Sequence, residues 1–342
     1  GLAASFAPPV LMRSIVMTMN GKSAGATHFA HSAMPSKQAG TYLSGEYASM
    51  VAKAISAAYN GTYFIFIVHN YLFKRFFMSK KLGLALGAGG ARGCAHIGFL
   101  QALEEEGIRP DIITGCSMGA VVGGAYASGM TVEDLLSTVR ELKTSDLIDL
   151  DGMAITKLAL FKGNKVRKIL LSKFGDVTFD KLSIPFACYA VDILGGRLTL
   201  LDEGSVADAV RASSAIPTVF RPVQHGDMLL VDGGVLCRVP VKHCREMGAD
   251  VVIAFDVLSN TGERVDKVPN IIAKVLRVYD IMDYNQNEFA KRDFKDSYNL
   301  WLSPPMDGLS AYNVKDAEKA YELGYAYSKE HMPEIKELLS DC

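Results

Sequence analysis

The stretch from Leu82 to Ala127 leaves this chain few ways to fold. Leu82-Gly-Leu-Ala-Leu86 is an apolar run of strand length, and Gly87-Ala-Gly-Gly-Ala-Arg-Gly93 follows at once. A helical stretch runs from about His96 to Glu106 and stops at Gly107. The short apolar run Ile112-Ile-Thr114 comes next, then Gly115-Cys-Ser-Met-Gly119, then the small-residue stretch Ala120 to Ala127. Strand, glycine loop, helix, strand and turn make one βαβ unit, whose crossover is right-handed. Parallel strands put their C-terminal ends on one edge, so both glycine-rich loops leave the sheet together.

That edge is where chemistry is expected. A strand that turns sharply into a helix at Ser117 exposes the hydroxyl and aims the helix N-terminus at it, where negative charge is favoured. Gly115 and Gly119 remove the Cβ atoms that so tight a turn would crush. Ser117 is therefore the candidate nucleophile; the alternative is a glycine-rich turn that only packs a helix on a sheet. The backbone N–H groups of Gly89, Gly90 and Ala91 are the candidate donors for an oxyanion, and losing one such donor typically costs about 100- to 1000-fold in rate. Other readings of the glycine loop fit poorly. A phosphate-binding P-loop needs Gly-Lys-Ser/Thr where this one has Ala91-Arg92-Gly93. A dinucleotide fingerprint counted from Gly87 meets Arg92 where its third glycine belongs.

Asp232-Gly233-Gly234 follows the strand-like Met228-Leu-Leu-Val231 and precedes a helical stretch from about Val241 to Met247. An aspartate before two glycines is either a turn former or a general base with open access to the serine.

In this order, the glycine loop with Gly87, Arg92 and Gly93, the Gly-x-Ser-x-Gly around Ser117 and the Asp-Gly-Gly at 232 resemble the patatin-like phospholipase family. Arg211-Ala-Ser-Ser-Ala-Ile-Pro217 followed by Phe220-Arg-Pro222 is similar to the family's approach to its aspartate motif. The resemblance covers about residues 81 to 330. Ala88, where many members carry glycine, and Asp-Gly-Gly for the commoner Asp-Gly-Ala are departures. The resemblance implies a Ser117–Asp232 dyad that hydrolyses carboxyl esters of lipids through an acyl-enzyme, with no cofactor or metal. It leaves Arg92 two roles, holding a phosphate headgroup or locking the loop against a carboxylate. Two alternatives stay open. One is an α/β-hydrolase triad using His243 or His331; the other is a catalytically idle lipid-binding module.

The remaining pattern alternates. Phe186 to Val191 and Arg197 to Leu201 read as strands joined by a Gly195-Gly196 hairpin. Ser205 to Ser213 reads as a helix capped by Ser205, with Asp208 at its third position. Asp250 to Asp256 and Asn299 to Leu302 read as strands, and Asp316 to His331 as an amphipathic helix ended by Pro333. The expected fold is a three-layer α/β/α sandwich with a mostly parallel central sheet. Residues 139–175 read as surface helices or as a mobile cover for an acyl-chain pocket.

A net charge of −1 argues against nucleic-acid binding. Six cysteines without metal spacing read as free thiols, which suits the cytoplasm. No uncharged apolar run reaches the roughly 18 residues of a membrane span. Residues 1–80 stand apart as an extension to a catalytic domain at 81–342. They carry seven Lys/Arg against Glu46 alone, a +6 balance that leaves −7 on the rest. Glu46 to Ala58 reads as a helix with an apolar stripe. Thr62 to Phe77, with Lys74 and Arg75, suits a membrane interface. Met78-Ser-Lys-Lys81 reads as a natural start, so the upstream part is either a foreign leader or an apolar appendage to the core.

Overall fold

The computed structural model describes residues 80–340, except 143, 148, 150–158, 259–267 and 269. The expectations for residues 1–79 lie outside the described residues, as does Cys342.

The βαβ unit is present: β1 (Leu82–Leu86), α1 (Ala95–Glu105), β2 (Ile112–Cys116) and α2 (Met118–Ala127). α3 (Val132–Glu141) follows, its first turn closed by a capping box between Thr131 and Asp134. Then come β3 (Ala159–Phe161), α4 (Asn164–Phe174), β4 (Phe186–Asp192), β5 (Arg197–Leu201) and α5 (Val206–Ser213). Next are β6 (Thr218–Phe220), β7 (Val223–His225), β8 (Met228–Asp232), α6 (Val241–Glu246) and β9 (Val251–Phe255). The chain closes with α7 (Ile271–Asp293), β10 (Leu300–Leu302), α8 (Ala317–Glu330) and α9 (Met332–Ser340).

The main sheet runs β10-β9-β1-β2-β4-β8-β7, with β5 paired to β4 as the expected hairpin. β10, β9, β1, β2 and β4 are parallel neighbours; β8 and β7 return antiparallel at one side. β1 lies between β9 and β2, fully buried. Its period of two divides the core. Leu82, Leu84 and Leu86 join the larger cluster with α1 and α2, while Ala85 faces a smaller cluster with Val241 and Cys244 of α6. The layers are thus unequal, one thick and one served by a six-residue helix. Phe99 of α1 stacks on Phe255 of β9 with ring centroids 4.4 Å apart, anchoring the thick layer.

The expected three-layer fold with a mostly parallel sheet is observed. The helix expected at Asp316 to His331 is present and stops at Glu330, before Pro333, which sits in the first turn of a further helix, α9, where its missing N–H costs nothing. Two local features differ from expectation. Residues 139–175 are not all helix, because β3 pairs in parallel with β6. The 23-residue α7, capped by Asn270 accepting from the Ala273 N–H at 2.9 Å, was not expected at all.

Candidate active site

β2 delivers Ser117 between β1 and β4, at the C-terminal edge of the parallel strands. Its backbone has φ 54° and ψ −120°, a conformation non-glycine residues rarely adopt. Gly119 explains how the turn closes: a Cβ there would lie 2.2 Å from the Leu86 carbonyl oxygen. α2 therefore docks directly on the end of β1. A Cβ at Gly115 would lie 2.6 Å from the Gly119 carbonyl oxygen. Strain of this kind costs about 1–3 kcal/mol. Ser117→Gly relieves it and Ser117→Ala does not, while both lose the hydroxyl. After the extra unfolded-state entropy of glycine, about 0.4–1 kcal/mol, the Gly variant is expected to be more stable by about 1 kcal/mol. Thermal denaturation should then place its midpoint about 2–4 °C above that of the Ala variant.

The Ser117 hydroxyl donates to Asp232 Oδ2 at 2.6 Å. Asp232 Oδ1 accepts the Gly234 N–H at 2.8 Å, and the Cys116 thiol lies 3.9 Å from the same oxygen. Both side chains are buried. Burial pushes the Asp232 carboxyl up to about 6; the Ser117 and Gly234 hydrogen bonds pull it down, Asp283 raises it and Arg238 lowers it. The Cys116 thiol is pushed well up by burial and by Asp232, so it stays neutral.

The last residue of α5 and the turn after it tie the backbones of Ser117 and Asp232 in place. Ser213 Oγ accepts the Ser117 N–H at 3.0 Å, and the Ala215 carbonyl accepts the Asp232 N–H at 3.0 Å. Arg211, buried on the same helix, donates to the carbonyls of Lys162, Gly163 and Arg221. Ser213 is a residue whose role the sequence did not disclose. Its only signal was membership of the 211–217 stretch.

The glycine loop is fixed at both ends. Gly87 N–H donates to the Phe255 carbonyl (2.9 Å), and Ala88 N–H to the Arg238 carbonyl (3.1 Å). Gly89 and Gly90 line the cleft with Ser117 and have no protein acceptor for their N–H groups among the described residues. Ala91 departs from expectation. Its N–H donates to the Ala311 carbonyl at 2.8 Å, so the expected three donors become two. Gly93 packs under Met118, and Gly233 lies against the Tyr189 carbonyl and Cys116. Arg92 is buried in the cleft wall, where Asp280, Asp256 and Tyr312 are its electrostatic neighbours.

No described histidine hydrogen-bonds Ser117 or Asp232. His96 Nε2 bonds the Gly87 carbonyl at 2.8 Å, and burial holds its pKa down to about 4. A carbonyl only accepts, so the neutral ring is protonated at Nε2 and supports the loop. His243 lies against Glu246 and Tyr189, and His331 stacks on Tyr327. No group of three His, Cys, Asp or Glu among the described residues could hold a metal ion.

α7 roofs the cleft. Tyr279, Asp280 and Asp283 line it, together with Tyr312. Burial raises both carboxyls. Val278, Met282 and Phe289 of the same helix stand exposed. The helix is thus polar towards the site and apolar outside, the reverse of an ordinary surface helix. The cleft beneath leaves about 60 Å³ for the centres of water-sized molecules and opens to solvent.

A strained serine at a strand-to-helix turn, hydrogen-bonded to a buried carboxylate beside a glycine loop, places the chain among α/β proteins with a strand–serine–helix elbow. The patatin-like phospholipase family model matches residues 84–244, which contain all three motifs. An uncharacterized NTE family protein of Mycobacterium tuberculosis is 36% identical over 199 residues, 58% of this chain and 55% of that protein. Lysophospholipase nte1 of Emericella nidulans is 28% identical over 284 residues, covering 75% of this chain and 18% of its own. Patatin-like phospholipase domain-containing protein 6 of Homo sapiens is 29% identical over 283 residues, 75% of this chain and 20% of its own. The chain thus spans about half the length of the mycobacterial relative and about a fifth of the other two. Among solved structures, VipD from Legionella pneumophila is similar at 15% identity and a TM-score of 0.49, over 75% of this chain and 67% of that one.

Proposed function

We propose that this chain is a lipolytic serine hydrolase that cleaves carboxyl esters of lipids (phospholipase A, lysophospholipase or esterase) through a Ser117–Asp232 dyad. The observation that carries the reading is the 2.6 Å hydrogen bond from Ser117 Oγ to Asp232 Oδ2, made at a strained elbow. Oγ attacks the ester carbonyl as its proton passes to Asp232. The oxyanion of the tetrahedral intermediate is received by the Gly89 and Gly90 N–H groups. Collapse expels the alcohol, which takes the proton back, and leaves Ser117 acylated. Water attacks the acyl-enzyme, Asp232 accepts its proton, and the fatty acid leaves as Ser117 is restored. Burial makes this carboxylate a stronger base than an exposed one, which is how it serves without a histidine.

The names of the fungal and human relatives favour lipid esters as the substrate class. The reading includes peripheral contact with a lipid surface, supported by the outward apolar side chains of the roof helix. No helix among the described residues is long and apolar enough to cross a membrane.

A fluorophosphonate probe tests the nucleophile, and mass spectrometry of products tests the substrate. Labelling should be lost in Ser117→Ala, and fatty acid should be released from a defined panel of phospholipids, lysophospholipids and p-nitrophenyl esters. An unlabelled, folded wild type would instead identify a binding module.

A further inference from the structure

We infer that Arg238 is the positioning residue that holds the glycine loop and the roof helix in register with the catalytic pair. The inference rests on the dyad reading above and adds to it a residue outside the three motifs.

Arg238 is buried and reaches three elements at once. Its Nη2 donates to the Ala88 carbonyl at 2.6 Å, while its own carbonyl accepts the Ala88 N–H at 3.1 Å. Ala88 is thus gripped on both backbone groups by one residue, immediately before the Gly89 and Gly90 donors. Nη1 donates to Asp283 Oδ2 of α7 at 2.6 Å, and Nε lies 3.8 Å from Asp256 Oδ1 at the end of β9. Asp256 in turn accepts from Asn287 of α7. The guanidinium fork therefore fixes loop and roof with bonds whose directions a lysine cannot reproduce, and Asp256 at the strand end adds charge without a hydrogen bond.

The arrangement also sets the field at the base. Asp232 is faced by Ser117 and the neutral Cys116 from β2 and its elbow, by the Gly234 N–H, by Arg238, and by Asp283 from α7. Arg238 favours the ionised carboxylate and Asp283 opposes it. The two partners of one ion pair therefore act on the acid limb of the rate profile in opposite directions.

The test is steady-state kinetics of ester hydrolysis against pH on the full chain, for Arg238→Met, Arg238→Lys and Asp283→Asn, with Asp232→Asn as reference. Oxyanion donors act in the transition state, so a displaced loop lowers kcat and leaves KM within a few-fold. Arg238→Met is expected to lose about 100-fold in kcat and to move its acid limb to higher pH. Arg238→Lys should keep the limb, because the charge remains, yet recover only part of kcat. Asp283→Asn should move the limb to lower pH. Should Arg238→Met not fold, the other two variants carry the test through the same readouts. A folded Arg238→Met or Arg238→Lys with wild-type kcat, or limbs that stay put in both Arg238→Met and Asp283→Asn, overturns the proposal. More than a few per cent of wild-type kcat in Asp232→Asn would instead overturn the dyad itself, so the two failures are distinguishable.

Discussion

Asp232→Asn is expected to lower kcat by about 10,000-fold, the scale seen when a serine hydrolase keeps its geometry but loses its acid–base partner. The site explains why the geometry should survive. Asn Oδ1 can accept the Gly234 N–H as Oδ1 of Asp232 does, and Asn Nδ2 can donate to Ser117 Oγ by turning the hydroxyl round. What is lost is a group able to take a proton. In the wild type the working form is the carboxylate, whose pKa burial lifts to about 6. Rate should therefore fall about tenfold per pH unit below that value and level off above it. Stability moves the other way. A carboxyl whose pKa is raised by folding favours the fold while protonated, and that contribution is lost as pH rises through about 6. The Asn variant, with no charge to bury, should melt above the wild type at pH 8, and the gap should close near pH 4. An Asn variant with more than a few per cent of wild-type kcat would exclude Asp232 as the base.

Gly90→Ala is expected to cost about 100- to 1000-fold in kcat with little change in KM, the effect of displacing one oxyanion donor. Gly90 has φ +55°, and a Cβ there would lie 2.1 Å from the Ala311 carbonyl oxygen. That carbonyl is held in turn by the Ala91 N–H, so neither side can yield without moving the loop. Gly129→Ala is the matched control. Gly129 also has positive φ, at +96°, but has nothing within 4 Å of an added Cβ. It carries the same backbone cost of about 1–2 kcal/mol away from the cleft, and its activity should stay at the wild-type level. Equal losses in the two variants would assign the effect to stability and not to the donor.

The sequence exposed those parts of the site that are local. The elbow, the glycine loop and Asp232 each follow a strand directly, so residue type and neighbours sufficed to place them on one edge. What it concealed depends on distant partners. Ser213 reads as a helix-end serine until it meets the Ser117 amide, 96 residues away. Ala91 reads as a donor until Ala311 claims its N–H. Arg238 lies outside the three motifs, and only its contacts with Ala88 and Asp283 reveal its grip. α7 was missed for another reason. Apolar periodicity marks the face that a globular helix buries, and here Val278, Met282 and Phe289 lie outside while Asp280 and Asp283 face inward. The pattern is present with its usual meaning inverted.

The lining of the space above Ser117 has a consequence for kinetics. Tyr279 and Tyr312 share that lining with Ser117, so a bulky ester meets two aromatic side chains where it meets the hydroxyl. Reagents of equal warhead but growing bulk should therefore react progressively more slowly, and trimming either ring to alanine should narrow the spread.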